Sequence, residues 1–387
     1  MQHSTWVAGF RTGVISPYEQ IKLAESREFG DETVRQILHL AGGGSAVRVR
    51  LTNRYGIAPL TIAAAGVARR KAGSAITPDT AQVVRFDGAD GVVIAPGADV
   101  MSDPVDIPVE AGDDLVLSLY LPGPTGLATY SHQPGEIAYV AAGNHVGATE
   151  LADTQEVPAR FFVTGIDVLA PAGTPVAVAF GDSWFEGVGT TPSTNRRSVD
   201  ALNARLSHGW VVNNGIAGNR LTAREIGESG LARFDSDARL VPGVTDILLN
   251  FGINDLILGA MGGQPSATAE ELIAAFTDLA QRAHAAGLRV HAATIGPYAG
   301  CVYPDMPLVE TQPTRAEVNE WLRTTEVFDS VFDVDRAVAD PDRPGFIRPG
   351  FDSGDGMHLN DAGAAAMAGT VDITALFDPK DRPAPTK

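Results

Sequence analysis

The sequence contains little cysteine and few basic residues, and each shortage excludes a class of protein. Cys301 is the only cysteine among 387 residues, so the chain cannot form an internal disulfide. Lys and Arg number 29 against 47 Asp and Glu, which gives a formal net charge of -18. This acidity disfavours a nucleic acid or an anionic membrane surface as a partner. We therefore expect no nucleic-acid partner and no membrane partner.

Long apolar stretches and several catalytic motifs are missing as well. No run approaches the length of a membrane span, and residues 1–10 have neither the basic start nor the apolar core of a signal peptide. A cytoplasmic protein is the simplest interpretation. The sequence has no G-x-S-x-G elbow, no H-E-x-x-H helix and no phosphate-binding G-x-x-x-x-G-K-[ST] loop. Apart from His358, no histidine lies at metal-ligand spacing from Cys or carboxylates, so we expect no metal site and no permanently bound cofactor.

What is present indicates a large two-domain protein. Hydrophobic residues make up 44% of the chain, and 387 residues exceed the usual size of a single core. We place the first domain at residues 1–170, the second at 171–387, and a linker at 169–175. Short alternating strand patterns between turn signals predict an all-β, jelly-roll-like sandwich for the first domain. These patterns lie at residues 47–53, 60–62, 114–121 and 137–140.

The second domain follows a strand–helix rhythm. Residues 268–286 predict an amphipathic helix, and Gly287 ends it before the strand pattern of residues 288–295. Such alternation is typical of a three-layer αβα domain with a parallel sheet. We therefore predict an α/β fold of the flavodoxin-like, doubly wound kind.

One strand of this domain leads directly into a reactive residue type. Residues 176–180 form a short Val-rich apolar run, typical of a buried parallel strand, and Gly181-Asp182-Ser183 follows at once. Ser183 would then lie at the carboxyl edge of the sheet, where α/β folds bind ligands and where acyl transfer needs its nucleophile. The alternative is an ordinary turn serine that caps the next helix.

Three further clusters supply the groups that a serine nucleophile needs. Asn254 follows a strand pattern and could donate its amide to an oxyanion, while Gly218 follows another and could present a bare backbone N–H. Asp355 precedes His358 by three residues, a spacing that lets the carboxylate orient the imidazole. Asp352 is a rival for that role, at a poorer spacing.

Together these clusters resemble the four blocks of the SGNH (GDSL) hydrolase family. The matching segments are Gly181-Asp182-Ser183, Gly218, Gly252-Ile253-Asn254-Asp255 and Asp355-x-x-His358, in the family's order. The resemblance covers residues 176–372 and implies an SGNH hydrolase fold for the second domain. It also implies that Ser183 is the nucleophile, His358 the general base and then acid, and Asp355 its orienting partner. The implied oxyanion hole consists of the Ser183 N–H, the Gly218 N–H and the Asn254 amide.

The segment after the serine departs from the usual family pattern. Trp184 and Phe185 stand beside the nucleophile, which indicates either core packing or a pocket for a flat acyl group. Asp182 and Asp255 adjoin predicted catalytic positions; we take them as turn acceptors and, with Trp184, as candidate lining of a substrate pocket. Apolar residues are frequent in two segments after strand ends, 256–267 and 301–313, which we expect to be loops that wall the active site.

The first domain resembles the carbohydrate-binding-module-like domain of two-domain family members. The matching features are the Arg48-x-Arg50-x-x-Asn53 strand and the turn at residues 122–126. This domain either binds a sugar or shapes the substrate cleft, or else is a structural platform. Trp6 could stack on a sugar ring or pack in the domain.

An acyl-serine intermediate can be resolved by water or by another hydroxyl. In length and layout the chain is similar to SGNH acyltransferases that move a salicylyl group from coenzyme A to a tetracycline hydroxyl. We therefore predict transfer of an acyl group onto a hydroxyl of a natural product such as a tetracycline-type polyketide, with an aromatic acyl-CoA thioester as a candidate co-substrate. The alternative enzyme is a GDSL esterase or lipase that hydrolyses acyl esters, for example of acetylated carbohydrates. A non-catalytic binding protein is the third hypothesis.

Overall fold

The computed structural model of this chain describes residues 3–377. The chain divides into two compact units, with the division between Thr174 and Pro175. The outer ends of the two predicted domains, residues 1–2 and 378–387, lie outside the described residues.

The first unit is built from antiparallel strands. In chain order they are β1 Ser4–Arg11, β2 Glu32–His39, β3 Val47–Thr52, β4 Leu60–Ile62, β5 Ala64–Ala72, β6 Ala75–Ile76, β7 Gln82–Val83, β8 Val92–Ile94, β9 Asp99–Met101, β10 Asp114–Leu121, β11 Tyr130–Ser131, β12 Ala138–Ala142, β13 Gln155–Val157, β14 Arg160–Phe161 and β15 Val163–Pro171. One sheet has the order β1-β15-β3-β9, and a larger one has the order β13-β12-β2-β10-β5-β6 with β7 paired to β5. The unit also contains two short strand pairs, β4 with β8 and β11 with β14.

The linker between the two units begins later than predicted. Leu169 and Ala170 belong to β15, whose pairing with β1 continues as far as Pro171 opposite Ser4. Ala170 is fully buried. The prediction of a linker from residue 169 was therefore wrong, because pairing with a strand at the far end of the unit cannot be read from the local Pro and Gly content.

A buried carboxylate connects three strands of the smaller sheet. Asp167 of β15 has no exposed surface and accepts hydrogen bonds from Arg11 at 2.6 Å and from Arg50 at 2.7 Å. Arg48 adds a contact of 3.2 Å, and its guanidinium lies 4.2 Å from the ring centre of Trp6. Burial acts to raise the pKa of Asp167, but the hydrogen bonds and charges of Arg50 and Arg11 outweigh it and lower that pKa.

The second unit alternates strands with helices. Its elements are β16 Val176–Gly181, α1 Ser183–Glu186, α2 Ser198–Asn203, β17 Trp210–Gly215, α3 Gly230–Phe234, β18 Val244–Asn250, α4 Ile253–Ile257, α5 Ala269–Ala285, β19 Arg289–Ala293, α6 Gln312–Thr324, β20 Ser330–Phe332, α7 Val334–Val338, β21 Ala339–Asp340, β22 Arg343–Ile347 and α8 Asp361–Gly369. The main sheet has the order β17-β16-β18-β19-β20, and its neighbouring strands are parallel. A parallel sheet in this region was predicted and is confirmed.

The strand order places a switch point at β16. The chain leaves β16, adds β17 on one side, and then returns to add β18 on the other side. In doubly wound sheets the crevice for a ligand opens at the carboxyl end of the strand where the order reverses. Here that end is Gly181, directly before Asp182 and Ser183.

The longest helix shows how local sequence sets its boundaries. Helix α5 was predicted for residues 268–286 and spans Ala269–Ala285. Thr268 caps its start in a reciprocal capping box with Glu271, and the apolar stripe that includes Leu272 and Phe276 is buried. No helix within residues 3–377 is long and apolar enough to cross a membrane.

The predicted active-site loop at residues 256–267 is largely helical instead. Leu256 and Ile257 end α4, and a 3-10 helix continues over Leu258–Gly262. Leu256 and Ile257 are fully buried, so these apolar side chains belong to the core rather than to an exposed wall. That prediction was wrong because apolar residues in a Gly-rich stretch were taken for a surface loop.

Candidate active site

Ser183 is delivered by the turn between β16 and α1. All residues of β16 are buried, and a Cβ on Gly181 would come within 2.5 Å of the carbonyl oxygen of Asn250 in β18. Position 181 therefore requires glycine, because β16 and β18 approach too closely there for a larger residue. Asp182 then caps α1 by accepting the N–H of Trp184 at 3.1 Å. The first helical residue is Ser183, which is 4% exposed.

Ser183, His358 and Asp355 form one hydrogen-bonded chain. Ser183 Oγ lies 3.0 Å from His358 Nε2, and His358 Nδ1 lies 2.6 Å from Asp355 Oδ2. A carboxylate on Nδ1 favours the imidazole tautomer that carries its proton there, which leaves Nε2 free to accept the serine proton. Such a chain can convert a hydroxyl into a nucleophile.

Asp355 is held in place by its own turn. Its Oδ1 accepts the backbone N–H groups of Met357 at 3.0 Å and His358 at 2.8 Å, and the hydroxyl of Ser353 at 3.1 Å. Burial acts to raise the pKa of Asp355, but the hydrogen bond and charge of His358, with these N–H donors, hold it well below the usual range. The carboxylate is therefore ionised over the working pH range of an enzyme.

Asp352 binds the backbone of this turn instead of the imidazole. Its Oδ1 accepts the N–H groups of Gly354 at 2.8 Å and Gly356 at 3.0 Å. Gly356 has φ of +71°, and a Cβ there would lie 1.9 Å from the carbonyl oxygen of Gly300. Asp352 thus shapes the backbone beneath the histidine, while Asp355 contacts the imidazole itself.

Gly218 and Asn254 meet through the backbone of Asn219. Gly218 follows β17 with φ of +76°, a conformation that favours glycine. The Asn254 side-chain amide donates to the Asn219 carbonyl at 3.0 Å and to Asp182 Oδ2 at 3.5 Å. Asn254 is therefore linked on one side to the residue after Gly218 and on the other to the residue before Ser183.

The pKa of Asp182 is raised far above its ordinary value. Its side chain is almost fully buried, and its Oδ1 also accepts the Asn250 amide at 3.2 Å. Burial raises its pKa to about 7, the nearby charge of Asp255 adds to the rise, and the Trp184 N–H opposes it. The carboxyl group beside the serine is therefore balanced between its two protonation states near neutral pH.

Asp255 holds the segment after Gly218. Its two oxygens accept the N–H of Leu221 at 2.8 Å, the N–H of Thr222 at 2.9 Å and the Thr222 hydroxyl at 2.7 Å. The side chain is fully buried, and burial raises its pKa. The turn-acceptor interpretation describes these contacts, and a role in lining a substrate pocket stays a prediction.

Sequence reasoning missed two buried residues that connect these segments. Arg233 of α3 donates to the Gly181 carbonyl at 2.8 Å and to the side chain of Asn219 at 2.9 Å. Glu186 of α1 accepts the N–H of Ala217, the residue before Gly218, at 2.5 Å. No local pattern signals either residue, because each acts only through partners brought close by the fold.

The segment after β19 contacts Asp355. Its residues 301–311 form no helix or strand, in agreement with the predicted loop, although α6 already begins at Gln312. Tyr303 donates its hydroxyl to Asp355 Oδ2 at 3.2 Å. Val302 and Val309 are 65% and 79% exposed. The loop is therefore bonded to the serine–histidine–aspartate chain through Tyr303, and it carries two exposed valines.

A comparison with protein families bears on this arrangement. Residues 179–366 match the GDSL-like Lipase/Acylhydrolase family, and the match contains Ser183, Gly218, Asn254, Asp355 and His358. The second unit is that of a GDSL/SGNH-type enzyme. Such an enzyme is a serine acyltransferase or an ester hydrolase, and we call Pro175–Lys387 the GDSL unit below. No curated protein matches the chain.

Solved structures show distant likenesses over about half of the chain. A GDSL-like lipase from Bacteroides thetaiotaomicron is 15% identical with a TM-score of 0.39, covering 51% of this chain and 85% of its own. A carbohydrate acetylesterase from Sinorhizobium meliloti is 14% identical with a TM-score of 0.40, covering 50% and 94%. An aryl esterase from M. smegmatis has the same values of 14%, 0.40, 50% and 94%.

Proposed function

We propose that the GDSL unit catalyses acyl transfer through a covalent acyl-serine intermediate on Ser183. The observation that carries the proposal is the distance of 3.0 Å between Ser183 Oγ and His358 Nε2. A hydroxyl that close to an imidazole, itself bonded to a carboxylate, is activated for attack on a carbonyl carbon.

In the first step Ser183 Oγ attacks the acyl carbonyl and its proton passes to His358 Nε2. The bond to the leaving group then breaks, and the leaving thiolate or alkoxide takes that proton from the imidazolium. Asp355 keeps the imidazole in the required orientation and stabilises its charged form. The short contact of 2.6 Å between His358 Nδ1 and Asp355 Oδ2 supports this role.

The tetrahedral intermediate carries a negative oxygen, which needs donors. We assign the backbone N–H groups of Ser183 and Gly218 and the side-chain amide of Asn254 to this oxyanion hole. Each preorganised donor contributes on the order of 3 kcal/mol to transition-state stabilisation. The contact of Asn254 with the Asn219 carbonyl holds the amide beside the Gly218 loop. The second N–H makes only a long contact of 3.5 Å with Asp182 Oδ2, and in the reaction it would donate to the oxyanion instead.

In the second step an acceptor hydroxyl gives its proton to His358 Nε2 and attacks the acyl-serine carbonyl. The new ester forms, the bond to Ser183 Oγ breaks, and Oγ regains the proton. We propose that the donor is a coenzyme A thioester and that the acceptor is a hydrophobic alcohol such as a tetracycline-type polyketide. The exposed side chains of Val302 and Val309, which lie in the same loop as Tyr303, support a hydrophobic acceptor, because covering apolar surface with an apolar ligand stabilises the complex.

Hydrolysis of acyl esters is supported equally, because water can replace the acceptor without any change in the catalytic groups. The match with the GDSL-like Lipase/Acylhydrolase family is consistent with this alternative. Acetylated carbohydrates are one class of ester that such an enzyme would hydrolyse.

Product partitioning distinguishes the two reactions. The enzyme would be given an aryl thioester of coenzyme A with and without a panel of polycyclic alcohols, and the ester and free acid formed would be counted. We expect ester to exceed free acid with at least one alcohol. Free acid alone across the panel, together with turnover of acetylated sugars, would replace the transferase proposal with the esterase.

A fluorophosphonate probe tests whether the serine is reactive at all. The wild type should acquire one adduct on Ser183, located by mass spectrometry, and Ser183→Ala should acquire none while keeping its far-UV circular dichroism. Absence of the adduct on a folded wild type would favour the non-catalytic binding protein.

We infer that the two sheets of the first unit pack face to face as the predicted sandwich. Five consecutive residues of β10, from Leu115 to Leu119, are buried on both faces of the larger sheet, and burial on both faces requires a second layer. Arg48 and Arg50 are engaged by Asp167, and Trp6 lies under Arg48. These contacts favour a structural role for the three residues over a direct contact with sugar.

A further inference from the structure

We propose that Trp184 is a positioning residue that sets the place of His358 relative to Ser183. The proposal rests on the acyl-serine mechanism above, and it concerns a residue that departs from the usual family pattern. It assigns the indole to the alignment of the nucleophile and its base.

The indole connects the two segments that carry the reacting groups. Trp184 directly follows Ser183 on α1, so its backbone moves with the nucleophile. Its Nε1–H donates to the carbonyl oxygen of Met357 at 3.0 Å, and Met357 directly precedes His358. One side chain therefore ties the serine helix to the histidine turn, although 173 positions separate the two bonded residues.

A third segment confines the ring. Gly296 follows β19, and a Cβ on it would come within 2.1 Å of Cη2 of the indole. Space for the ring at this point therefore depends on glycine. Trp184 as a whole is 3% exposed, which leaves almost no ring surface for stacking with an acyl group.

The backbone of Trp184 is fixed as well. Its N–H donates to Asp182 Oδ1 at 3.1 Å, and its carbonyl accepts the hydroxyl of Ser198 at 2.9 Å. With both backbone and indole held, the Met357 carbonyl receives a donor at a defined point. The histidine turn cannot shift without breaking that buried hydrogen bond, which would leave an unpaired donor and acceptor.

The expected consequence is on the chemical step rather than on substrate binding. A displacement of about 1 Å between reacting groups can cost about 100-fold in rate. Loss of the Nε1–H donor should therefore lower kcat and leave KM nearly unchanged. Because the contact acts on His358, it should also alter the proton shared between His358 and Asp355.

The test uses Trp184→Phe, which keeps an aromatic ring beside Gly296 and removes the N–H. We expect kcat to fall by about tenfold to 100-fold with KM within about twofold. We also expect the downfield proton resonance of His358 Nδ1–H to broaden or shift, a readout that does not depend on turnover. Trp321→Phe is the matched control, because Trp321 of α6 packs against Phe328 and, within residues 3–377, makes no hydrogen bond to the histidine turn. This variant should keep both kcat and the resonance.

Gly296→Ala tests the position of the indole without changing Trp184 itself. Its new methyl group should displace the indole, and we expect a loss of kcat similar to that of Trp184→Phe although the N–H is still present. Thermal unfolding and circular dichroism select the variants that are folded. Should Gly296→Ala fail to fold, the resonance and kcat of Trp184→Phe still decide the matter.

The possible failures are separable. A wild type that forms no fluorophosphonate adduct overturns the proposed function. A reactive wild type with a Trp184→Phe variant of equal kcat and an unchanged His358 resonance overturns only the role of Trp184. A rise in KM with unchanged kcat would instead assign Trp184 to substrate contact, and would equally overturn the positioning role.

Discussion

Replacement of Asp182 by asparagine should change how the stability of the protein depends on pH. Asp182 is buried, and burial raises its pKa from the ordinary 3.8 to about 7, with help from the charge of Asp255. The folded protein therefore keeps this carboxyl protonated up to about pH 7, whereas the unfolded chain ionises it above about pH 4. Asparagine has a similar shape and cannot ionise.

The size and sign of the effect follow from proton linkage. Between pH 4 and 7 the folded state binds more protons than the unfolded state, so the free energy of unfolding falls as pH rises. The difference between 3.8 and about 7 corresponds to a total of about 4 kcal/mol, at about 1.36 kcal/mol per pKa unit. Of this, about 2.5 kcal/mol should be lost between pH 5 and pH 8.

Urea unfolding of the wild type and of Asp182→Asn at pH 5, 6, 7 and 8 measures this loss. Between pH 5 and pH 8 the free energy of unfolding should decline by about 2.5 kcal/mol less in the variant than in the wild type. Burial also raises the pKa of Asp255, but that residue remains in both proteins and contributes to both curves. Asp342→Asn, at an exposed position, controls for the removal of one formal charge. Parallel pH curves for wild type and Asp182→Asn would refute the reasoning.

Four further predictions concern single side chains. Asn254→Ala should still be labelled on Ser183 by the fluorophosphonate probe but should have a kcat lower by about 100-fold or more, since one oxyanion donor is lost. Steady-state kinetics measure this decrease, and near-normal turnover would contradict the assignment. Asp355→Asn should lower kcat on the order of 10³- to 10⁴-fold by disfavouring the required tautomer of His358. Because the pKa of Asp355 is well below its usual range, this carboxylate is ionised throughout pH 5 to 9, and the decrease in kcat should be seen over that whole range. Burial and the charge of Asp355 raise the pKa of Tyr303, so its phenol remains a hydrogen-bond donor to Asp355. Tyr303→Phe removes this donor, and Asp355 should then stabilise the protonated imidazole more strongly. The acid limb of the pH–rate profile should therefore move to higher pH, and an unchanged acid limb would contradict the coupling. Thr268→Ala should lower the free energy of unfolding by about 1 kcal/mol through loss of the helix cap, measured by urea denaturation.

Several elements could be predicted because their determinants are local. The start of α5 follows from Thr268 and Glu271, which bond to each other within one turn. Strand β10 was predicted at residues 114–121 and lies at Asp114–Leu121, since alternating apolar residues between turns need no distant partner to be recognised. Likewise the separation of three positions between Asp355 and His358 is short enough for the spacing itself to indicate a contact.

Other features escaped prediction because their partners are far away in the chain. The linker was placed too early because β15 extends to Pro171 only through its pairing with β1. Residues 256–262 were taken for a loop because their helical turns depend on burial of Leu256 and Ile257. The sequence left two alternatives for Trp184, and its bond to Met357 is a contact across 173 positions.

By itself the sequence determined the chemistry that the chain can offer: a serine after a buried strand, a histidine with a carboxylate three residues before it, and an amide and a glycine at two other strand ends. Only the tertiary structure decided the relation of these groups, because a parallel sheet brings the ends of β16, β17 and β18 to one edge. It also decided the electrostatics. Asp182 and Asp355 are the same residue type, yet burial raises the pKa of the first and the bond to His358 lowers that of the second. Such differences depend on desolvation and on neighbours in space, which the order of residues does not contain.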